Sequence, residues 1–351
     1  ETARAIRDEM KDFYSVIKDN DQYIRFVFIT GVSKFSKMNL FSGLNNLNDI
    51  TLNPCYGNLC GYTHHDLKTV FKEHLAGTDW EKIKSWYNGY NYFGDRVYNP
   101  FDILLFISNG KEFRNYWWAT GNPGFLIELL AKKEYYIPEL ENYEASDEIL
   151  DSFDVDNIEL EALLWQTGYL TIKEKTQEMF GMKYTLEVPN MEIQTSLNSL
   201  FISYLTTHKG EKLKVQSQMS RALENGNMDN LKNILEALFA SIPYHNFTNN
   251  EIANYEGYYA SVIYAYLASL GYVIIPEDIT SKGRLDLSLK TKNSVYIFEF
   301  KVVEKPSGNA LRQIHEKKYY QKYQTFKNIF LVGIEFGKAE KNIIHFEWEK
   351  M

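Results

Sequence analysis

One stretch near the C-terminal end carries two charged side chains inside an otherwise apolar run. Residues 295–303 read Val-Tyr-Ile-Phe-Glu-Phe-Lys-Val-Val, which is typical of a buried strand. Because side chains alternate between the two faces of a strand, Glu299 and Lys301 share one face, and Phe298 and Phe300 lie on the other. Burying an unpaired charge is costly, so this pair requires a physical reason.

A third charged residue is predicted to lie beside this pair. Asp286 belongs to the preceding predicted strand, residues 284–290, and residues 291–293 form a polar turn. Strands joined by such a turn pair as a hairpin, so Asp286 can lie next to Glu299. Two carboxylates and a nearby lysine suit a divalent cation and a water activated for attack on a phosphodiester.

Two predicted helices supply further polar side chains. Glu256 precedes Ala260, Ile263 and Leu267 by four, seven and eleven residues, which places it at the end of an apolar helix stripe and directs it inward. Gln313 lies on a later helix, from which its amide can hydrogen-bond near the same site. The alternative is an ordinary ion pair between Glu299 and Lys301 on a half-exposed sheet. We favour a single site with five members: Asp286, Glu299, Lys301, Glu256 and Gln313.

The C-terminal part, residues 246–351, is predicted to be one domain with the element order α-β-β-β-α-β. Such an order makes a mixed sheet with a helix on either side. Gly271 closes the first helix in the position that favours glycine. The predicted elements are helices at 251–270 and 308–323 and strands at 272–276, 284–290, 294–303 and 328–334.

The middle of the chain, residues 124–245, is predicted to be mainly helical with a winged-helix-like module. An amphipathic helix at 158–166 is followed by short strands at 168–172 and 183–188, and helix returns over 191–240. A helix that runs into a two-stranded wing is the outline of a winged-helix module.

The first part, residues 1–123, is predicted to be an α/β unit. Residues 22–30 form a β-branched and aromatic run typical of a buried parallel strand. Because the chain begins within helical sequence at Glu1, we expect it to be a fragment of a longer protein. Further helices are predicted at 64–75, at 79–87 and from about Phe101, with Pro100 well placed at a helix start.

These motifs resemble a known family. Gly-Arg-Leu-Asp at 283–286 and Ile-Phe-Glu-Phe-Lys at 297–301 resemble the PD-(D/E)XK nuclease superfamily, with Leu285 where that motif has Pro. Residues 255–259 and 310–319 resemble, more narrowly, the nuclease-like domain that follows a predicted AAA-ATPase-like domain. The first half resembles the ATPase-like part of that family at residues 28–36, 40–47 and 86–90.

The resemblance implies a fold and a set of roles. The fold is a multidomain combination of α/β and α+β parts: a truncated AAA-type remnant, the winged-helix-like middle and a restriction-endonuclease-like C-terminal domain. Asp286 and Glu299 would be metal ligands for Mg²⁺ or Mn²⁺, and Lys301 would orient or deprotonate the attacking water. Glu256 would be an auxiliary acid and Gln313 a supporting polar group. The substrate would be nucleic acid, DNA rather than RNA.

ATP hydrolysis is not expected of this chain. A nucleotide-binding loop of the form G-x-x-x-x-G-K-[ST] is absent from the sequence. Gly31-Val32-Ser33-Lys34 is too short for this role, and we regard Thr30, Ser33 and Lys34 as parts of a capped loop rather than phosphate ligands. The resemblance implies that a missing N-terminal ATPase half carries the phosphate-binding elements.

Charge and cysteine content leave several weaker possibilities. The net charge is −8, whereas residues 246–351 hold 14 Lys and Arg against 12 Asp and Glu, or +2, which permits phosphate binding without demonstrating it. No apolar run is long enough for a membrane span, and two cysteines fit a reducing cytoplasm. A zinc site at Cys55, Cys60, His64 and His65 has loose spacing, so we favour incidental thiols. Base stacking by Trp117, Trp118 and Trp165 is less common than a core role.

A rival function keeps the fold and removes the chemistry. The chain would then be a nucleic-acid-binding or regulatory module with a degenerate nuclease fold and the winged helix as its contact surface. A purely structural interaction protein would neither bind nor cut. Oligomerisation is compatible with all three.

Overall fold

The chain forms two units, each with a core of its own. Unit 1 contains residues 1–122 and 140–193, and unit 2 contains residues 123–139 and 194–351. The division after residue 193 falls inside the segment 124–245 that the sequence suggests as one region. The structure, a computed structural model, describes residues 2–31, 47–118, 142–147, 150, 160–179, 181–205, 212–242 and 256–351.

Ten α-helices and ten strands are defined within these described ranges. The helices are α1 (Thr2–Asp19), α2 (His64–Thr69), α3 (Trp80–Tyr87), α4 (Pro100–Ser108), α5 (Leu160–Gln166), α6 (Met191–Leu205), α7 (Lys212–Asn225), α8 (Met228–Ala240), α9 (Glu256–Ala268) and α10 (Asn309–Lys317). The strands are β1 (Asn88–Tyr90), β2 (Val97–Tyr98), β3 (Glu144–Ser146), β4 (Thr171–Glu178), β5 (Gly181–Glu187), β6 (Val273–Thr280), β7 (Gly283–Lys290), β8 (Ser294–Val303), β9 (Asn328–Gly337) and β10 (Ile343–Lys350).

The short helices of unit 1 start where their capping residues stand. The Thr63 side chain accepts the amide of Asp66, whose carboxylate accepts the Thr63 amide in return, which begins α2. Asn99 caps α4 with Pro100 in the first turn, as predicted. Helix α2 ends at Thr69, so the predicted helix over 64–75 is too long. The core beneath these helices is built from buried apolar side chains, among them Leu67, Ile83, Tyr87, Tyr98 and Phe106.

The predicted buried strand over residues 22–30 is wrong. Residues 21–23 form a 3₁₀ turn, and residues 24–31 have no strand pairing within the described part of the chain. Phe26 is 80% exposed and Phe28 is 52% exposed. A buried parallel strand requires hydrogen-bonded neighbours and covered faces, and an apolar run alone supplies neither.

A strand pair is present in the middle of the chain, but its first strand runs over Thr171–Glu178 rather than over the predicted residues 168–172. Strands β4 and β5 form an antiparallel hairpin, from Thr171 opposite Glu187 to Glu178 opposite Gly181. Strand β3 pairs with the other edge of β5, so the sheet order is β3-β5-β4. The assignment of this region to a winged helix stays a prediction.

Unit 1 buries two carboxyl groups close together. Asp102 on α4 and Glu192 on α6 are each 0% exposed, and a carboxylate oxygen of Glu192 accepts the backbone amide of Trp117 at 2.8 Å. Burial, and next the charge of Asp102, raises the pKa of Glu192 to about 9. Burial raises the pKa of Asp102 to about 6, although the neighbouring carboxyl group of Glu192 opposes this. The pair therefore holds a proton at neutral pH.

Substitution of Glu192 by Gln should change how the stability of unit 1 depends on pH. Because the folded pKa of Glu192 lies above its ordinary value of 4.5, the wild type takes up a proton on folding between about pH 4.5 and 9 and loses stability as the pH rises through that window. The variant lacks this loss. Its advantage in unfolding free energy should grow by up to about 1.4 kcal/mol per pH unit.

Urea unfolding followed by tryptophan fluorescence measures this effect, since five of the six tryptophans belong to unit 1. Glu144→Gln, on an exposed side chain of the same unit, is the control. Parallel pH curves for the wild type and Glu192→Gln would contradict the shared proton.

Unit 2 is organised around a five-stranded sheet of order β10-β9-β8-β7-β6. Strands β8 and β9 are parallel, and the other neighbours are antiparallel. The predicted order α-β-β-β-α-β is confirmed from α9 to β9. Strand β10 was not predicted, because its sequence, Ile-Ile-His-Phe-Glu-Trp-Glu-Lys, mixes charged and apolar residues along an edge.

Two helices of unit 2 differ from their predicted form. Helix α9 is apolar all round, with every residue from Tyr258 to Ala268 buried, so the expected one-sided stripe is absent. Helix α10 ends at Lys317 rather than at residue 323, because Lys318 adopts a left-handed backbone conformation (φ 51°) and residues 319–323 continue as a 3₁₀ turn. A residue in this conformation cannot continue an α-helix.

The two faces of the sheet are covered by different helices. Ile297 on β8 packs with Ile314 of α10 and with Tyr319 and Tyr323. On the other face, Tyr259 of α9 stacks on Phe336 with ring centroids 4.1 Å apart.

None of the helices in the described ranges is long and apolar enough to cross a bilayer.

Candidate active site

Strands β7 and β8 separate at the point where the candidate site lies. Their regular pairing ends with Leu287 opposite Phe298. One residue further on, the carboxylate of Asp286 accepts the backbone amide of Phe300 at 2.8 Å. The side chain of Asp286 thereby occupies a ladder position, and the end of the hairpin is fixed by a charge-assisted hydrogen bond.

Glu299 is buried at the centre of the cluster. It is 1% exposed, and its Oε1 accepts hydrogen bonds from Lys301 Nζ at 3.2 Å and from Gln313 Nε2. Lys301 Nζ also lies 3.4 Å from Oε1 of Glu256. The charged pair in the apolar strand is therefore accounted for by partners from α9 and α10.

One carboxylate oxygen in the cluster has no hydrogen-bond partner. Oε2 of Glu299 is buried and accepts no hydrogen bond from any residue that the structure describes, although Oε1 of the same group accepts two. Leaving a buried carboxylate oxygen unsatisfied is costly. A cation bound at this oxygen would satisfy it.

The charges of the cluster do not balance. Three carboxylates surround the single ammonium group of Lys301, and the pKa of that group is raised because Glu299, Glu256 and Asp286 outweigh the effect of burial. Burial raises the pKa of Asp286 to about 6, although the hydrogen bond from the Phe300 amide and the charge of Lys301 both lower it. Burial, and then the charge of Asp286, raises the pKa of Glu299 to about 8. The site favours either a proton or an added positive charge.

The donor set fits a hard divalent cation. Mg²⁺ is held in many hydrolytic sites by one or two carboxylates and completes its shell with water. Asp286 and Glu299 supply such carboxylates on neighbouring strands. Across the residues that the structure describes, no group of three or more His, Cys, Asp or Glu side chains is arranged to hold a metal ion. The fit is therefore to a cation that retains much of its water.

The five predicted site residues lie together. Asp286, Glu299 and Lys301 occupy the separating ends of β7 and β8, as the strand alternation predicts. Gln313 reaches Glu299 from α10. Glu256 lies in the first turn of α9 with its side chain 40% exposed, so it is at the rim rather than directed fully inward.

The other sequence signals do not form a site. Cys55 and Cys60 are exposed free thiols, and Nδ1 of His64 lies 2.7 Å from the hydroxyl of Tyr98. Trp117 and Trp118 contact the ring of Tyr169 edge-on, which is packing within unit 1. The residues at 33 and 34, considered above for phosphate binding, lie outside the described ranges.

Comparison with known proteins agrees with this geometry. Residues 254–346 match the PD-(D/E)XK nuclease superfamily, and residues 1–41 match a family described as Predicted AAA-ATPase. The chain is 44% identical over 353 residues to a protein from Azotobacter chroococcum mcd 1 described as an uncharacterized protein in the vnfD 5' region. That match covers 100% of this chain and 68% of that protein. No solved structure matches the chain.

The chain belongs to a family with an AAA-ATPase-like segment and a PD-(D/E)XK nuclease superfamily domain. The matched nuclease segment contains all five candidate residues, from Glu256 to Gln313. It begins beside α9 and ends within β10, so it coincides with the five-stranded sheet and the two helices that cover it.

A further residue of the PD-(D/E)XK domain, Glu335, was not singled out from the sequence. It lies on β9 opposite Lys301 and is 0% exposed. Its carboxylate accepts hydrogen bonds from the amide of Ser307 at 2.6 Å, from the Ser307 hydroxyl at 2.7 Å and from the amide of Asn309 at 2.7 Å. These groups precede or begin α10, so a strand residue caps the helix that carries Gln313. An acidic residue in an apolar strand, as at Glu299, was the available signal.

Gly333 allows α10 to lie directly on the sheet. It pairs with Glu299 across β8 and β9. A Cβ atom placed on Gly333 would lie 2.4 Å from the backbone nitrogen of Leu311. Any side chain here would push α10 outward and separate Gln313 from Glu299, because the obstructing atom is backbone.

Replacement of Glu335 by Ala should destabilise unit 2 by about 2 kcal/mol, since it removes a helix cap and leaves buried amides without an acceptor. Hydrogen bonds from Ser307 and Asn309 hold the pKa of Glu335 below its usual 4.5 despite its burial. The stabilisation is therefore present above about pH 4.5 and is lost as the pH falls further.

Chemical denaturation at pH 7 and pH 4 tests this difference. Glu316→Ala, on the exposed side of α10, removes an acidic residue from the same helix and should cost little. An equal effect of Glu335→Ala and Glu316→Ala at pH 7 would show that the cap contributes nothing.

Proposed function

We propose that unit 2 is a divalent-metal-dependent nuclease that hydrolyses phosphodiester bonds, with DNA as its substrate. The observation that carries the proposal is the buried cluster of Asp286, Glu299 and Lys301, in which Oε2 of Glu299 lacks a partner. The matching superfamily is a nuclease superfamily, and the cluster lies inside the matched segment.

Each residue has a role that follows from its contacts. Asp286 and Glu299 would hold Mg²⁺ or Mn²⁺, which when bound supplies charge neutralisation at the phosphate and a more acidic water. Lys301 lies between Glu299 and Glu256 and would orient the attacking water and take part in its deprotonation. Gln313 holds Oε1 of Glu299 and so leaves Oε2 available.

The same proposal places the activity under the control of an ATPase in the longer protein. Its support is the match of residues 1–41 to a predicted AAA-ATPase and the greater length of the relative from Azotobacter chroococcum. We propose a cytoplasmic location, in keeping with the two free thiols.

Substitution of Asp286 by Asn should abolish cleavage while it preserves the fold. The amide oxygen of Asn can still accept the Phe300 amide, but the negative charge is lost. Cleavage of plasmid, linear and single-stranded DNA, and of RNA, should be measured with Mn²⁺ and with Mg²⁺. We expect a decrease of at least about 100-fold, which corresponds to about 2.7 kcal/mol of transition-state stabilisation.

The matched control is Glu316→Gln, an exposed carboxylate on α10 outside the cluster. Equal cleavage by Asp286→Asn and the wild type would refute the assignment. Salt-dependent DNA binding with no cleavage by the wild type would instead support the rival function, a non-cleaving binding or regulatory module. That rival is favoured by the two ion pairs of Lys301, with Glu256 and with Glu299, which engage the ammonium group that cleavage would require.

A further inference from the structure

A basic pocket lies beside the start of β7, outside the catalytic cluster. Its volume is about 380 Å³, and it is bounded by the turn between β6 and β7 and by the chain that follows α10. None of its eight described lining residues is acidic. Those that carry the argument are Thr280, Ser281, Lys317, Lys318, Tyr319 and Lys322.

Two of the three lysines contribute uncompensated charge. Lys322 is paired with the buried carboxylate of Asp278 and also donates to the carbonyl of Ile279 at 3.0 Å. Lys317 and Lys318 are exposed, and neither forms an ion pair with any residue that the structure describes. The pocket therefore presents two positive charges together with the hydroxyl group of Ser281. The Thr280 hydroxyl donates to the carbonyl of Gly283 at 2.8 Å and so holds the turn.

The wall of the pocket is held in place by buried hydrogen bonds. Asp278 is 2% exposed and accepts from the hydroxyls of Ser288 (2.8 Å) and Tyr323. The Tyr319 hydroxyl donates to the carbonyl of Arg284 at 2.8 Å. Lys318 has a left-handed backbone conformation (φ 51°), and its backbone amide donates a hydrogen bond to the carbonyl of His315 at 3.1 Å. The two charges thus stand on a fixed turn, which suits a preorganised site.

The pocket and the catalytic cluster lie at the same end of the sheet, because β7 and β8 are antiparallel. The Lys317 side chain lies 3.9 Å from where a Cβ atom on Gly283 would be. Gly283 begins β7, and Asp286 follows three residues later, about 10 Å along the strand. That distance corresponds to about three nucleotides of axial rise in one DNA strand.

We infer that this pocket binds backbone phosphates of the nucleic-acid strand that enters the catalytic cluster, with Lys317 and Lys318 as the phosphate contacts. The inference rests on the proposed nuclease function and names the binding site that this function requires. Phosphates are recognised by lysine, by hydroxyl groups and by backbone amides, whatever the base sequence. The pocket accordingly adds affinity without sequence preference.

The test compares two double variants of the full chain. Lys317→Gln/Lys318→Asn removes both charges, and Asn tolerates the left-handed backbone at position 318. Lys292→Gln/Lys327→Gln removes two exposed lysines at the opposite end of the same sheet, beside the starts of β8 and β9. Binding of a fluorescein-labelled 20-base-pair DNA duplex is measured by anisotropy in EDTA, so that no cleavage occurs, across a series of salt concentrations.

We expect the pocket variant to lose about tenfold in affinity and to reduce the slope of log K against log salt by about 2, whereas the control keeps the wild-type slope. An identical slope for the two variants overturns the inference. Competition by inorganic phosphate beyond that of chloride at equal ionic strength should be seen with the wild type and be lost in the pocket variant. Equal competition with both proteins would also overturn the inference.

The outcome is distinguishable from that of the nuclease proposal. Pocket-dependent binding without metal-dependent cleavage by the wild type would refute the nuclease and keep the pocket. Cleavage that depends on Asp286, together with a DNA affinity that the Lys317→Gln/Lys318→Asn substitutions leave unchanged, would refute the pocket and keep the nuclease.

Discussion

The burial of Glu299 sets the terms for the rest of unit 2. A carboxylate in the middle of a sheet is tolerated only where hydrogen bonds and positive charge replace the water it has lost. Lys301 supplies the charge from the same strand, and Gln313 supplies a hydrogen bond from the helix above. These contacts require α10 to lie close to the sheet, which Gly333 permits and Glu335 stabilises by capping the helix. One oxygen of Glu299 has no hydrogen-bond partner among the described residues, and the proposed metal site rests on this observation.

The parts of the site that could be predicted are those governed by local periodicity. Alternation along β8 places Glu299 and Lys301 on one face, and the short turn before β8 brings Asp286 alongside. Glu335 shows the same signal, an acidic residue in an apolar strand, but its role as a helix cap could not be predicted in this way. Its partners, Ser307 and Asn309, lie between β8 and α10 and approach it only in the folded domain. The predictions for the end of α10 and for residues 22–30 were wrong for a related reason, because the surroundings override local propensity. A single left-handed residue ends α10, and residues 22–30 have no neighbouring strand in the described part of the chain.

The two units use buried carboxyl groups in different ways. In unit 1, Asp102 and Glu192 hold a proton between them, and the Trp117 amide is their main additional partner. In unit 2, a lysine and an amide side chain approach the carboxylates, and the cluster opens toward Glu256 at its rim. Burial alone therefore does not distinguish a structural carboxyl pair from a candidate catalytic one. The two clusters differ in two features of unit 2: the ammonium group of Lys301 beside the carboxylates, and the solvent exposure of Glu256 at the rim.

The parallel pairing of β8 with β9 has a consequence for the order in which the domain can fold. The meander from β6 to β8 joins neighbours in sequence and closes short loops, so its entropic cost is small. The groups that exclude water from Glu299 pack against it only when α10, which carries Gln313, and β9 have docked on β8. Until that long-range step, Glu299 stays hydrated and ionised. The energetic penalty of its burial therefore belongs to the late part of folding, where a bound cation that favours the native state would chiefly slow unfolding.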